Sequence, residues 1–148
     1  MFRNILIPTD GSTVAVRAVK AGIALAKEMG ASVIGYSAFA PARAKFYVSD
    51  LYFIDRGISA TIEQYAKNAA KKDVARIGKL AQKAGVPFKL GVSRAEHPAD
   101  GIIQIAKKYH CDAICMASHG HGYIAGLLLG SVTQKVLAHS KIPVLVYR

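Results

Sequence analysis

The stretch Met116-Ala-Ser-His-Gly-His-Gly-Tyr-Ile-Ala-Gly-Leu-Leu-Leu-Gly-Ser-Val-Thr133 decides how this chain is read. It joins an apolar run, residues 113–117, to a segment of helical period, residues 131–139, through a loop that holds Gly120, Gly122, Gly126 and Gly130. A short apolar run suits a buried strand, and strand, glycine-rich loop and helix in that order suit one crossover of an α/β fold. Glycines let a backbone turn sharply and bring its N–H groups close to an anion. Gly130-Ser131 leads into the helix, with Ser131 available as its cap, and the unpaired first N–H groups of the helix, with the Ser131 and Thr133 hydroxyls, form a candidate phosphate site. Two glycine motifs with known mechanics do not fit. A Walker A loop needs lysine before Ser/Thr, which Gly130-Ser131 lacks, and Gly120, Gly122 and Gly126 are spaced one residue too long for the dinucleotide fingerprint. An NAD-dependent enzyme is therefore not expected.

Outward from the loop the same alternation continues. Residues 4–8 read as a first strand and 9–12 as a turn, with Ser12 or Asp10 available to cap a helix over 13–29. That helix places Ala15, Ala18, Val19, Gly22, Ile23 and Ala26 on one face, and Gly30 stops it. Residues 32–38 form a second strand. Residues 40–57 show no clear period, and a connection that long is expected to be a lid, an interface or a poorly ordered loop. A long helix over 58–84 carries an apolar stripe of Ile62, Ala66, Ala69, Ala70, Ile77 and Leu80. A third strand follows over 88–92. His97-Pro98 opens a helix with proline in its favoured first turn, and Ile102, Ile103, Ala106 and Tyr109 suit packing on a sheet. Residues 143–147 close as a fifth strand. The order predicts one domain over 1–148: a doubly wound, Rossmann-like α/β fold with a five-stranded parallel sheet and helices on both faces. Ligands are expected beyond the C-terminal ends of the strands, where the turns after the first and fourth strands meet.

Residues 117–131 resemble the signature of the ATP-binding universal stress proteins: glycine, two residues, glycine, nine residues, glycine, then Ser/Thr. Gly120, the nine residues 121–129, Gly130 and Ser131 match it, while Ala117 stands where the first glycine is expected. The opening Ile5-Leu-Ile-Pro-Thr-Asp-Gly-Ser12, the closing helix and strand, and the order of elements resemble that family too. The resemblance implies a site for an adenine nucleotide, ATP, with Mg²⁺ or Mn²⁺ carried on its phosphates. Pro8, Thr9, Asp10 and Ala38 would surround the adenine and ribose side, and Met116, Ala117, His119, Gly120, Gly130, Ser131, Val132 and Thr133 would hold ribose and phosphates. At Ala117 a methyl group strains the backbone if φ is positive and costs little if φ is negative.

A regulatory or stress-response protein that signals nucleotide occupancy to a protein partner is the leading expectation. No residue beside the loop stands out as a tuned base or nucleophile, which leaves slow hydrolysis or self-phosphorylation at Ser131 as the enzymatic alternative. A homodimer is expected through Pro143, Val144, Leu145, Val146 and Tyr147, because an apolar edge strand is protected by pairing with its own copy. One rival is a dimeric interaction module that binds no nucleotide. A second is a nucleic-acid binder, suggested by the net charge of +11 and by Lys67, Lys71, Lys72, Arg76, Lys79 and Lys83 on one helix. That rival lacks a recognition motif and aromatics interleaved with the basic residues, and a solvated helix face explains the lysines. A third, an enzyme of the ATP-pyrophosphatase type, would need a second substrate site. His119 and His121 without a third ligand in view make a metal site unexpected.

The composition, 52% hydrophobic with 20% charged residues, excludes a disordered chain. No apolar run approaches the ~20 residues of a membrane span. The N-terminal apolar stretch meets Pro8 and Asp10 too early for a signal peptide, so a cytoplasmic location is expected. Cys111 and Cys115, four apart in a segment read as a strand, lack the spacing of a redox pair or zinc knuckle and read as core residues.

Overall fold

The computed structural model describes residues 1–41, 44–48, 51–122 and 128–148. Its elements run β1 (Asn4–Pro8), α1 (Thr13–Met29), β2 (Ser32–Phe39), β3 (Ala44–Val48), β4 (Leu51–Asp55), α2 (Arg56–Ala84), β5 (Phe88–Arg94), α3 (Pro98–Lys108), β6 (Ala113–Ala117), α4 (Ser131–His139) and β7 (Val144–Tyr147). The main sheet has five parallel strands in the order β5-β2-β1-β6-β7. β1 pairs Ile5 with Val33 on one side and with Ala113 on the other.

Alternation along these strands divides the core in two. Ile5, Ile7, Val33, Ala113 and Cys115 face α1 and α2, against Val19, Ile23, Ile77 and Ala81. Leu6, Ile34, Tyr36, Ile114 and Met116 face α3 and α4, against Ile102, Ile105, Ala106 and Val136. Both faces are covered, which is why the strands read as continuous apolar runs. Truncating a side chain such as Ile7, fully buried between β1 and α1, costs about 2–5 kcal/mol.

Local chemistry sets the ends of α1. The Ser12 side chain accepts the Ala15 N–H at 3.3 Å, and Gly30 adopts φ 64°, sending its N–H to the Ala26 and Lys27 carbonyls. The expected buried face of α1 is the one observed.

Three expectations need correction. Residues 40–57 are not a plain connection, because β3 and β4 within it pair antiparallel, with Phe46 opposite Phe53. The stripe on α2 is misplaced in its first half: Ile62 and Ala69 are exposed, and the buried line is Ala70, Val74, Ile77 and Ala81. Over residues 57–69 no residue is buried, so the apolar spacing there meets no core. Finally, Cys111 lies just before β6 rather than in it.

Both cysteines are free and buried. Burial raises the Cys115 thiol above its ordinary pKa; burial, with the neighbouring Asp112, pushes Cys111 up to about 11. Neither is a thiolate near neutral pH. Among the described residues no helix is long and apolar enough to cross a membrane.

Candidate functional site

From β1 the sheet grows one way through β2 and the other way through β6, so its switch point lies between the C-terminal ends of β1 and β6. A cleft of about 200 Å³ opens there. Pro8, Thr9 and Asp10 line it from the end of β1, and Met116, Ala117, His119 and Gly120 from the end of β6. Ala38 enters from β2, and Val132 and Thr133 from the first turn of α4. Gly130 and Ser131 are not among its lining residues. Ala15, Tyr36, Pro98 and Ile102 line it without having been expected. Strand alternation was the missed signal for Tyr36, which shares a face with Ala38 two residues on. Its hydroxyl lies 2.8 Å from the Ser93 hydroxyl, which orients the ring.

The turns after β1 and β6 meet, as expected, and Asp10 is the clasp. One of its oxygens, Oδ1, accepts the Ser12 N–H at 3.0 Å, while Oδ2 accepts the His121 N–H at 2.9 Å. The His121 ring returns the contact, with Nε2 2.9 Å from the Asp10 carbonyl oxygen. A carbonyl only accepts, so Nε2 carries the proton. Gly120 follows from this clasp, since a Cβ there would collide with the Asp10 carboxylate. Burial acts to raise the Asp10 pKa, but the hydrogen bonds from Ser12 and His121 outweigh it and hold the carboxyl below its ordinary value. Asp10 therefore joins two turns rather than capping α1, a role that falls to Ser12.

The β6 side is held by short local bonds. Ser118 receives the Gly130 N–H on its carbonyl at 2.7 Å and donates its own N–H to the Tyr147 carbonyl at 2.7 Å. Its hydroxyl lies 2.9 Å from His119 Nδ1. Thr133 is buried and donates its hydroxyl to the Ala117 carbonyl at 2.9 Å. This corrects the expectation for Thr133: its proton is committed to the sheet, and what it offers the cleft is a wall. Ala117 is settled as well. Among described residues other than glycine only His110 has positive φ, so the alanine is unstrained, and its methyl packs with Ala15 and Ala18. Gly126 lies outside the described residues.

The start of α4 differs from expectation in one further respect. Gly130, at φ −70° and ψ 158°, is the N-cap, and no side chain caps the helix; Ser131 is the first helical residue and is exposed. The cleft thus combines apolar walls, Tyr36, Ala38, Ile102 and Met116, with a helix N-terminus that no side chain of its own closes. Such walls accept a flat apolar ring, and such a terminus favours negative charge.

Fold and cleft together define a doubly wound α/β protein with an open cleft at the switch point of its sheet. The chain belongs to the universal stress protein family, whose family model matches residues 1–148. A universal stress protein of Methanocaldococcus jannaschii is 31% identical over 152 residues, covering 100% of this chain and 83% of its own. The solved structure of a second protein of that organism superposes with a TM-score of 0.82 at 28% identity, over 99% of this chain and 96% of its own. A universal stress protein solved in complex with cAMP superposes with a TM-score of 0.71 at 25% identity, over 99% and 97% of the two chains.

Proposed function

We propose that this chain is a regulatory protein that binds an adenine nucleotide, ATP, in the cleft between β1 and β6, with residues 1–148 working as one domain. The observation that carries the reading is the Asp10 clasp. It joins the turn after β1 to the loop after β6, so that apolar walls and the start of α4 border one cleft. Tyr36, Ala38 and Met116 suit the base. The N–H groups at the start of α4, after Gly130, suit the phosphates. Asp10 is the carboxylate lining the cleft, and both its oxygens already accept N–H groups, so a Mg²⁺ or Mn²⁺ ion would be carried by the nucleotide phosphates rather than by the protein. That a universal stress protein of this fold was solved in complex with cAMP supports an adenine nucleotide as the ligand.

Calorimetry with ATP and GTP in the presence of Mg²⁺ tests this. ATP is expected to bind measurably more tightly than GTP, and no heat at millimolar ATP overturns the reading. The same protein is proposed to be a homodimer through β7, an edge strand on which Leu145 is 37% exposed beside an α4 whose Leu137 is 41% exposed. A monomer by light scattering at tens of micromolar counts against that pairing.

A further inference from the structure

The face of the sheet opposite the cleft carries a second cavity, of about 300 Å³, in the groove between α1 and α2. Helical spacing builds it. Val16, Val19 and Lys20 lie on one face of α1; Asp73, Arg76, Ile77 and Leu80 lie on one face of α2. Val16, Val19, Ile77 and Leu80 make an apolar floor. Lys20, Arg76 and Lys79, all exposed, stand at the rim. Among the described residues Asp73 is the one carboxylate lining the groove. It sits at the end nearest the turn after β1, where a Cβ on Gly11 would lie 2.6 Å from its Oδ1, and Arg76 Nη1 is 3.8 Å from the same oxygen. Its charge is answered, and the two lysines remain in excess.

We infer that this groove is a ligand site for a single-chain amphiphile with an anionic head, a fatty-acid carboxylate. Floor and rim must both be used for the groove to be filled. A small inorganic anion would meet the cations and leave the floor wet. A neutral hydrocarbon would cover the floor and leave the ammonium groups unmatched. A carboxylate on an alkyl chain satisfies both, with the chain along Val16, Val19, Ile77 and Leu80 and the head between Lys20 and Lys79. The inference does not depend on nucleotide binding, because the groove lies on the α1–α2 face, and Thr9, in the turn, is the residue it shares with the cleft.

The test is calorimetric titration of the full chain with octanoate, decanoate and dodecanoate, below their micelle concentrations, with decanol and inorganic phosphate as comparisons. Saturable binding of the acids is expected, tightening by about fourfold for each added CH₂. Decanol should bind at least about fivefold more weakly than decanoate, and phosphate not measurably. Lys20→Glu with Lys79→Glu, both on exposed side chains, should weaken decanoate by about tenfold while thermal unfolding and ATP binding stay as in the parent. Equal binding of decanol and decanoate, or a double variant that binds decanoate like the parent, overturns the inference. So does the absence of saturable acid binding. A failure of ATP to bind would sink the nucleotide reading alone, since the acid titrations and the unfolding control do not use it.

Discussion

The starts of α1 and α4 both face the C-terminal edge of the sheet, and the chain finishes them differently. At α1 the Ser12 side chain accepts an N–H of the first turn, and Asp10 folds back on the Ser12 N–H. At α4 the cap position is Gly130, with no side chain to give. A helix end left without its own cap has to be satisfied by water or by a ligand. The difference teaches where the charge of a ligand is to be sought: at α4, in the mouth bordered by Val132 and Thr133, and not at α1, whose terminus is already closed.

Closing α4 in the manner of α1 should have the largest effect. Gly130→Asp would add a carboxylate at the cap position, where it accepts the first-turn N–H groups and repels phosphate. A Cβ at this position lies 3.2 Å from the His119 backbone, so a shift of a few tenths of an ångström must accompany it. ATP affinity is expected to fall by at least about tenfold, with thermal unfolding little changed. An unaltered Kd by calorimetry would remove the start of α4 from the phosphate site.

Cutting the clasp between the two turns comes next. Asp10→Asn removes the charge that Ser12 and His121 stabilise, and should cost about 1–2 kcal/mol at pH 7, held to that range because the side chain is exposed. The folded pKa lies below the ordinary 3.8, so the contribution of Asp10 is full above that value and is lost as pH falls through the folded pKa. Denaturant unfolding should therefore show a gap between parent and variant that is constant from pH 7 to about 5 and closes in strong acid. A gap that widens on acidification would contradict the hydrogen bonding described.

The smallest effects separate the two serines. Ser12→Ala should lose about 1 kcal/mol of stability, the usual worth of an N-cap, without changing nucleotide affinity. Ser131→Ala, at an exposed position inside the helix rather than at its cap, should lose less than about 0.5 kcal/mol, and ATP binding should weaken by no more than about fivefold. Equal losses of stability at the two positions would erase the distinction between the helix starts.

Much of this was legible because it rests on local periodicity. The strands β1, β2 and β6 follow from short apolar runs, the buried face of α1 from a spacing of 3.6 residues, and the meeting of two turns at the switch point from the order of strands and helices. What escaped depends on contacts across the chain. Tyr36 and Ile102 reach the cleft only once β2 and α3 are placed around it. That Gly120 makes room for the Asp10 carboxylate cannot be read from the loop alone, where the same glycine serves a phosphate equally well. The cap of α4 was misread by one position because Gly and Ser are both acceptable caps and nothing local decides between them. On α2 the apolar spacing runs through an exposed first half as well as a buried second half, and spacing does not report which residues are covered.

The exposed first half of α2 has a consequence for how the molecule opens. At 29 residues α2 is about 44 Å long, yet its buried line begins only at Ala70. Ahead of it, Ile58, Ile62 and Tyr65 are 44%, 47% and 75% exposed, and the Arg94–Glu63 ion pair, at 2.8 Å, ties the segment back to β5. One continuous helix thus spans two regimes of protection. Amides near Val74 and Ile77 should exchange their hydrogens with solvent only when the whole core opens, whereas those near Ile62 can exchange by local unwinding of the exposed half while the sheet, the clasp and the cleft stay intact.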